Sequence, residues 1–435
     1  MAQSDSISRN NLTFDQRAEV FDKTATRITR QYFDPRFNGT EWPSRAREMR
    51  ERIISLDDPE SFELGMHELV RILGTSHTGF FHQSVRRVPG RLAIGASFRR
   101  AETESGPQWI AQDVHSGGPA HMAGLRPLDA LRAINGKEVI PPEAPMFAMG
   151  TEVPLRLRRA SEEITVTISI PAPRDRKQPH SEPSAVVSKR LSNDTGYLKV
   201  SILPGLLGLD VARSIDRAVS ELSSCDSLVL DLRGHLGGGL GVLRLMSHLT
   251  ADKLPIGYTV TRKRSESGFD KNALRKLDRL PTHLPNPIAI ATMAVQFVGR
   301  DPSVLLVSEG LGLKRWHGRV AILVNEHTVS AGEMVAAFAA ENGLAKIVGT
   351  ETAGRLIPGS GFKVGYGYML VMPKAEYVTW QGQRFEGAGV KPHIEVPWIP
   401  ERLKPELDNQ LEQAVRIVRD RGAAYLMNPG TPTIT

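Results

Sequence analysis

The stretch Leu228-Val-Leu-Asp-Leu-Arg-Gly-His-Leu-Gly-Gly-Gly-Leu-Gly241 decides how the rest of the chain is read. It begins as a short, largely apolar run of the kind found in strands buried on both faces, and passes at once into glycines and an apolar helical segment. A second such run, Val320-Ala-Ile-Leu-Val, leads through Asn-Glu-His-Thr-Val to Ser330-Ala-Gly-Glu333 and another helix-like segment. Strands alternating with helices over about 191–424 predict α/β architecture there. Glycines after the first strand let backbone N–H groups face a ligand, which suits phosphate binding or the oxyanion of an acyl-transfer intermediate. Neither G-x-G-x-x-G spacing nor a following Gly-Lys-Ser/Thr is present, which weighs against phosphate. Glycines that merely turn the chain are the plain alternative.

Upstream, Phe21, Ala25, Ile28 and Tyr32 recur at helical spacing, as do Phe62, Met66, Leu69 and Leu73, so a small helical unit runs from Phe14 to about Gln83. It ends in Gly74-Thr-Ser-His-Thr-Gly-Phe-Phe81, where glycines interrupt the helix and the following residues can extend as a strand. Residues from about 88 to 172 read as short strands and turns, with Val153–Arg158 and Ile164–Ile170 alternating at period two. The proline-rich, charged run from Pro171 to Pro183 cannot bury a core and reads as a linker. Thr261 to Arg279, with seven basic residues, reads as a solvated helix or lid, and Leu407, Leu411, Ala414 and Val418 mark a final amphipathic helix.

Composition sets the outer bounds. A chain of 435 residues, 40% hydrophobic and 24% charged, is ordinary globular material. At roughly 100–200 residues per domain it divides into two to four domains. Its formal charge of +7 is spread over local clusters, so no nucleic-acid partner is expected. The single cysteine, Cys225, excludes an internal disulfide framework and a Cys-rich zinc site, and suits a reducing compartment. The N-terminal residues lack a basic stretch followed by an apolar one, and no run of 18 apolar residues occurs, so a soluble, cytoplasmic chain without a membrane span is expected. No set of His, Cys and carboxylate has ligand spacing, so neither a metal nor an organic cofactor is expected.

Three segments carry candidate chemistry. Ser330, on a strand-to-helix turn with its hydroxyl at the positive end of a helix dipole, is placed as a nucleophile would be. Ser330 and Glu333 also form a capping box, the bland reading of the same residues. His77 in its Ser-His-Thr-Gly loop is a candidate base, and His235 in the glycine turn is nearer the supposed oxyanion site. Glu386, in Arg384-Phe-Glu-Gly-Ala-Gly-Val-Lys-Pro, is a candidate to orient a base, or a solvated carboxylate on a turn.

Taken together these segments resemble the carboxyl-terminal processing (tail-specific) serine peptidases and the related tricorn core protease. Asp231-Leu-Arg-Gly-His-Leu-Gly237-Gly238 matches that family's strand-Asp-x-Arg-x-x-x-Gly-Gly, Ser330-Ala-Gly-Glu333 its Ser-Ala-x-Glu, and Gly349-Thr-Glu-Thr-Ala-Gly354 its Gly-x-x-Thr-x-Gly. Glu386-Gly-Ala-Gly-Val-Lys-Pro resembles its Glu-Gly-x-Gly-Val-x-Pro, and Leu73–Thr78 the end of its helical N-terminal region. Ser116-Gly-Gly-Pro-Ala-His-Met-Ala-Gly-Leu and Ala130-Leu-Arg-Ala-Ile-Asn-Gly-Lys-Glu-Val resemble a PDZ domain, with Leu128-Asp129 where Gly-Asp is usual.

The resemblance implies a multidomain α/β protein. Its parts would be an N-terminal helical region over 1–87, a PDZ-like domain over 88–172, a linker over 173–190, a crotonase/ClpP-like α/β peptidase domain over 191–424 and a tail over 425–435. It implies a serine peptidase acting on peptides or unfolded protein tails, with homo-oligomerisation left open. The processing branch places a lysine base 25 residues after the serine, where this chain has Arg355, and arginine stays protonated. The tricorn branch resembles what is present: Ser330 as nucleophile, His77 as base, and Glu386 orienting it through Ser76. Gly237 or Gly238, with Ala331, would supply the oxyanion donors. Ile94, Gly95, Ala96, Ser97 and Phe98 would form the PDZ-like carboxylate loop. Arg355 is left to pair with a substrate carboxylate or with Glu333. Two rivals stand beside this reading: a Ser-Lys peptidase using Lys363, and a silent peptide- or hydrophobic-ligand-binding protein on the same fold.

Overall fold

The computed structural model describes residues 11–84, 87–103, 106–172, 184–205, 208–280, 301, 303–399 and 408–420. The chain opens with α1 (Phe14–Gln31), α2 (Trp42–Ile54) and α3 (Pro59–Arg71). α1 starts on a capping box, the Thr13 N–H donating to Gln16 Oε1 at 2.9 Å and the Gln16 N–H to Thr13 Oγ1 at 3.3 Å. The apolar stripes of the three helices bury Phe21, Ile28, Trp42, Phe62, Met66 and Leu69. What they pack on comes from both ends of the chain: β1 (Gly79–His82) pairs with β19 (Tyr368–Pro373), and β19 with β18 (Gly359–Gly365). The expected extension after Gly79 is therefore present, and the turn carrying His77 is set against a late segment of the chain.

The middle module contains β2 (Arg87–Pro89), α4 (Gly90–Ala93), β3 (Ala96–Thr103), β4 (Gly106–Val114), α5 (Pro119–Met122), β5 (Ala130–Ile134), β6 (Lys137–Glu138), β7 (Met146–Ala148), β8 (Glu152–Arg159) and β9 (Glu162–Ser169). Its main sheet runs β3-β4-β5-β8-β9, with β6 on β5 and a separate β2–β7 pair. The period-two reading holds on β8, where Val153, Leu155 and Leu157 turn inward and their neighbours outward.

The third part is built on a six-stranded sheet ordered β10-β11-β12-β16-β17-β21. Its strands are β10 (Val186–Arg190), β11 (Thr195–Val200), β12 (Ser227–Asp231), β16 (Arg319–Val324), β17 (Lys346–Gly349) and β21 (Ile394–Glu395). All neighbours are parallel except β10 and β11. One face packs on α6 (Leu209–Glu221), α7 (Val242–Ser247) and α9 (Ala331–Glu341) through Leu228, Leu230, Val320 and Ile322. On the other face Val229, Ala321 and Leu323 meet Ala414 and Val418 of α10 (Asn409–Arg419). Both runs that suggested doubly buried strands are thus covered on both sides, which is why they lack polar alternation.

Two expectations need correction. Val186–Arg190, assigned to the linker, pairs with β11 along its whole length and so belongs to this sheet, while residues 173–183 lie outside the described residues. The basic stretch after Thr261 is not one helix. It forms a solvated one, α8 (Arg262–Ser267), then β14 (Arg275–Leu277), which pairs in parallel with β15 (Val304–Val307) beside β13 (Pro255–Thr261) and β20 (Ala375–Thr379). Leu407 and the tail over 425–435 also lie outside the described residues. Among the described residues no helix is long and apolar enough to cross a membrane.

Candidate active site

Two turns leave the carboxyl ends of adjacent parallel strands β12 and β16 and are stitched together. Asn325 Oδ1 accepts the Gly234 N–H at 3.0 Å, Thr328 Oγ1 donates to the Leu232 carbonyl at 2.8 Å, and the Val329 N–H donates to the His235 carbonyl at 3.0 Å. Ser330 sits at the end of this turn with φ 53° and ψ −115°, a conformation that costs a non-glycine residue on the order of 1–3 kcal/mol. The surroundings hold it there. Its N–H points to the Arg355 carbonyl at 3.1 Å and to Glu333 Oε2 at 2.9 Å.

Glu333 does more than a capping residue. Its fully buried carboxylate also accepts Thr352 Oγ1 at 2.6 Å, the Gly354 N–H at 2.7 Å and the Arg355 N–H at 2.9 Å. One side chain therefore clamps the nucleophile turn to the 352–355 loop. Burial pushes the pKa of Glu333 up against the pull of these donors. The capping-box pattern pointed to local helix chemistry for this residue, and the Ser-Ala-x-Glu motif marked it without giving its partners.

His77, Ser76 and Glu386 come together as expected, although Ser76 and Glu386 are 310 positions apart. Ser76 Oγ lies 2.9 Å from His77 Nδ1 and 3.1 Å from Glu386 Oε2, and the Ser76 N–H donates to Glu386 Oε1 at 2.7 Å. Glu386 is aimed by the Leu356 and Ile357 N–H groups at 3.0 and 3.2 Å. The donor count fixes the imidazole tautomer. An ionised carboxylate only accepts, so the single hydroxyl proton of Ser76 goes to Glu386 and Ser76 Oγ accepts from His77 Nδ1–H, leaving Nε2 with its lone pair. Burial lowers the pKa of His77, Glu386 pulls it back up and the Arg355 charge lowers it again. Among the described residues no hydrogen bond joins His77 to Ser330 directly. The two are tied through Arg355, whose carbonyl holds Ser330 and whose neighbour Leu356 holds Glu386.

The glycine turn is pressed against the nucleophile. A Cβ at Gly237, where φ is +83°, would stand 2.7 Å from Ser330 Cβ. Of the two glycines left as alternative oxyanion donors, Gly237 has its N–H already committed to His235 Nδ1 at 2.9 Å. Among the described residues the N–H groups of Gly238 and Ala331 have no protein acceptor. His235 is fully buried, and burial lowers its pKa to about 4, so it is a neutral support for the turn and not a base. Lys363 is exposed on β18, four residues beyond Gly359, the residue that meets His77, and thus roughly 13 Å away along the strand. That placement disfavours it as the base.

The middle module reaches the same turn, which nothing in the sequence signalled. Arg91 Nε donates to the Gly234 carbonyl at 2.9 Å, and Asp113 Oδ2 accepts from Asn325 Nδ2 at 3.1 Å and from Ser97 Oγ at 3.0 Å. Of the expected carboxylate loop, Ile94, Ala96, Ser97 and Phe98 are buried, the Gly95 carbonyl accepts the His115 N–H at 2.9 Å, and Ser97 faces this junction. The Arg355 guanidinium is exposed and makes no pair with Glu333, which takes only the main-chain N–H of that residue.

Space around His77 yields a test. A Cβ at Gly359 would lie 3.0 Å from His77 Cβ and 3.2 Å from Val371 Cγ1. Gly359→Val is expected to displace the imidazole and, at about 10²-fold per ångström of misplacement, to lower kcat by roughly 10–100-fold while the thermal midpoint barely moves.

Residues 194–396 match the model of peptidase family S41. The carboxyl-terminal-processing peptidase 3, chloroplastic, of Arabidopsis thaliana is 24% identical over 396 residues, covering 85% of this chain and 66% of that protein. The carboxy-terminal processing protease CtpA of Bacillus subtilis is 24% identical over 363 residues, covering 82% and 64%. Against probable CtpA-like serine proteases of Staphylococcus aureus the covered share of the relative is 52%, so the chain spans between half and two-thirds of the length of these curated relatives. Among solved structures, a photosystem II D1 C-terminal processing protease superposes with TM-score 0.57 at 18% identity, covering 95% of this chain and 100% of that one. Mature CPAF superposes with TM-score 0.58 at 13% identity, covering 93% and 96%. At these identities the structural likeness shows the fold. The segment 194–396, which carries Ser330, Glu333 and Glu386, is thus the part of the chain that matches the peptidase family S41 model, and the chain around it is similar in sequence to carboxyl-terminal processing peptidases.

Proposed function

We propose that the chain is a serine peptidase that hydrolyses peptide bonds in peptides or unfolded protein tails. The observation that carries this reading is the Ser76 hydroxyl set between His77 Nδ1 and Glu386, because it leaves His77 Nε2 as an acceptor. Ser330 Oγ attacks the scissile carbonyl carbon and its proton passes to His77 Nε2. The imidazolium so formed keeps Nδ1–H on Ser76, which relays to Glu386. The N–H groups of Gly238 and Ala331 receive the oxyanion, and each such donor is typically worth about 10²–10³ in rate. Collapse breaks the C–N bond as His77 returns the proton to the leaving amine. Water then attacks the acyl-serine, giving its proton to His77, and as the C–Oγ bond breaks His77 returns that proton to Ser330 Oγ, which frees the acid product and restores the resting site. The resting separation of His77 and Ser330 closes in the substrate complex, as is usual for catalytic hydrogen bonds.

The middle module is proposed as a PDZ-like capture domain. β3 is an edge strand of its sheet, and an extended peptide adds to such an edge through main-chain hydrogen bonds. The test offers an unstructured protein and a mixed peptide library to the wild type and to Ser330→Ala, with products read by mass spectrometry. Cleavage by the wild type alone supports the peptidase. A folded wild type that cuts nothing overturns it in favour of the ligand-binding alternative.

The pH profile gives a further check. The base must be neutral, and burial and Arg355 both hold the pKa of His77 down, so the acidic limb of kcat/KM is expected below the ordinary imidazole value of about 6.5. Removing a nearby positive charge favours the protonated ring, so Arg355→Gln is expected to move that limb upward.

A further inference from the structure

Arg355 has an immobile main chain and an uncommitted side chain. Its N–H is fixed on Glu333 Oε2 at 2.9 Å, its carbonyl takes the Ser330 N–H at 3.1 Å, and the next N–H holds Glu386 at 3.0 Å. The guanidinium leaves from this point into solvent, and among the described residues it has neither an ion pair nor a hydrogen bond. The two carboxylates that this main chain touches are occupied otherwise. Glu333 is filled by Ser330, Thr352, Gly354 and the Arg355 main chain, and Glu386 by Ser76, Leu356 and Ile357.

A free cation at this place opposes the chemistry. During acyl transfer His77 becomes an imidazolium, and the Arg355 charge acts on His77 against that state. A bound group that neutralises Arg355 removes the opposition as the imidazolium forms, so its binding energy is expressed in the transition state and raises kcat. The guanidinium fork fits one such group above others, a carboxylate held by two parallel N–H···O bonds.

Resting on the peptidase reading, we infer that Arg355 is a specificity-determining residue that recognises a carboxylate on the peptide substrate within a residue or two of the scissile bond. The carboxylate comes either from an acidic side chain or from a free chain terminus, and the test separates the two sources.

Four peptides of one sequence are compared, with Glu or Gln beside the cut, and with a free or amidated C-terminus one or two residues beyond it. Rates are measured for the wild type, Arg355→Gln and Arg355→Lys at a pH where His77 is neutral in all three. A charge-assisted, forked contact predicts a wild-type preference of about 10–100-fold in kcat/KM for one carboxylate form over its neutral counterpart. Arg355→Gln is expected to reduce that ratio to within about threefold, and Arg355→Lys to leave an intermediate ratio, since lysine keeps the charge and loses the fork. A preference confined to the Glu/Gln pair assigns the side chain as source, and one confined to the acid/amide pair assigns the terminus. Wild-type indifference to both, or a ratio that survives Arg355→Gln, overturns the inference. If the wild type cleaves none of the four, the peptidase reading fails. Arg355 is then judged by fluorescence anisotropy of the same peptides on Ser330→Ala with and without Arg355→Gln, where equal affinities for acid and neutral forms overturn it.

Discussion

Ser330→Ala is expected to lower kcat for peptide hydrolysis by on the order of 10⁴–10⁶-fold, and His77→Ala by a similar factor. Either change removes the same event, transfer of the Ser330 proton to His77 as the C–O bond forms. The double variant should therefore be no worse than the poorer single one, because residues that act as a unit are not additive. The comparison also separates the proposed relay from a lysine-based mechanism. If His77→Ala retains more than a tenth of wild-type kcat while Ser330→Ala is dead, the imidazole is not the base. Both side chains are only part-buried, so melting temperatures should stay near the wild-type value and the loss can be read as chemistry. Gly237→Ala belongs to the same series. It removes no catalytic side chain but puts a methyl 2.7 Å from Ser330 Cβ, which forces the nucleophile turn to shift, so it too should abolish turnover.

The largest expected effect on stability is at Asp231. This carboxylate is fully buried and accepts from Arg233 N at 3.0 Å, Arg233 Nε at 3.0 Å, Arg233 Nη2 at 2.7 Å and the Tyr197 hydroxyl at 2.8 Å. Arg233 turns its other edge to Asp408, with Nη1 and Nη2 at 2.8 and 2.7 Å from the two oxygens, and so fastens the start of α10 to the end of β12. Asp231→Asn leaves this buried guanidinium with half its compensation, and breaking a buried pair from one side typically costs about 3–5 kcal/mol. With Asp408 still in place the lower end applies, a fall in the thermal midpoint on the order of 10 °C. The pH dependence has a definite sign. Burial pushes Asp231 up, but Arg233 and Lys199 outweigh it and leave its pKa well below the ordinary carboxylate value. Stabilisation of that kind is complete above the unfolded-state value of about 3.9 and fades as pH falls toward the lower folded-state value. The gap between wild type and Asp231→Asn in urea midpoint should accordingly be widest above about pH 4 and narrow below it. A gap that does not change with pH would mean that the cost is steric. Gly234 follows Arg233 directly, so activity should fall along with stability.

Much of this protein was legible before any coordinates because the relevant physics is local. Doubly buried strands such as β12 and β16 need apolar side chains on both faces, and β8 needs them on one, so continuous and alternating runs named the two kinds of sheet correctly. Glycine-rich turns at strand ends and a serine opening a helix are local requirements as well. The pattern of motifs carried Ser76, His77, Ser330 and Glu386 into one reading. The boundary at β10 was not legible, because Val186–Arg190 is mostly exposed on an edge strand and has no apolar periodicity to announce it.

What the residues could not reveal is where each polar group spends its hydrogen bonds. Glu333 looked like half of a capping box and proved to be a clamp on four donors from two loops. Gly237 looked like an oxyanion donor and is occupied by His235, while Gly238 beside it is left open. Arg91 and Asp113 belong to a different module, yet they hold Gly234 and Asn325 of the reacting turn. Periodicity and residue type suffice to choose strand, helix and the menu of chemistry, since those follow from neighbours along the chain. A backbone N–H has a single proton to give, and which acceptor takes it depends on segments brought together from positions up to 310 residues apart. The division between donors held in the scaffold and donors left for a substrate was therefore settled by the packing of the folded chain.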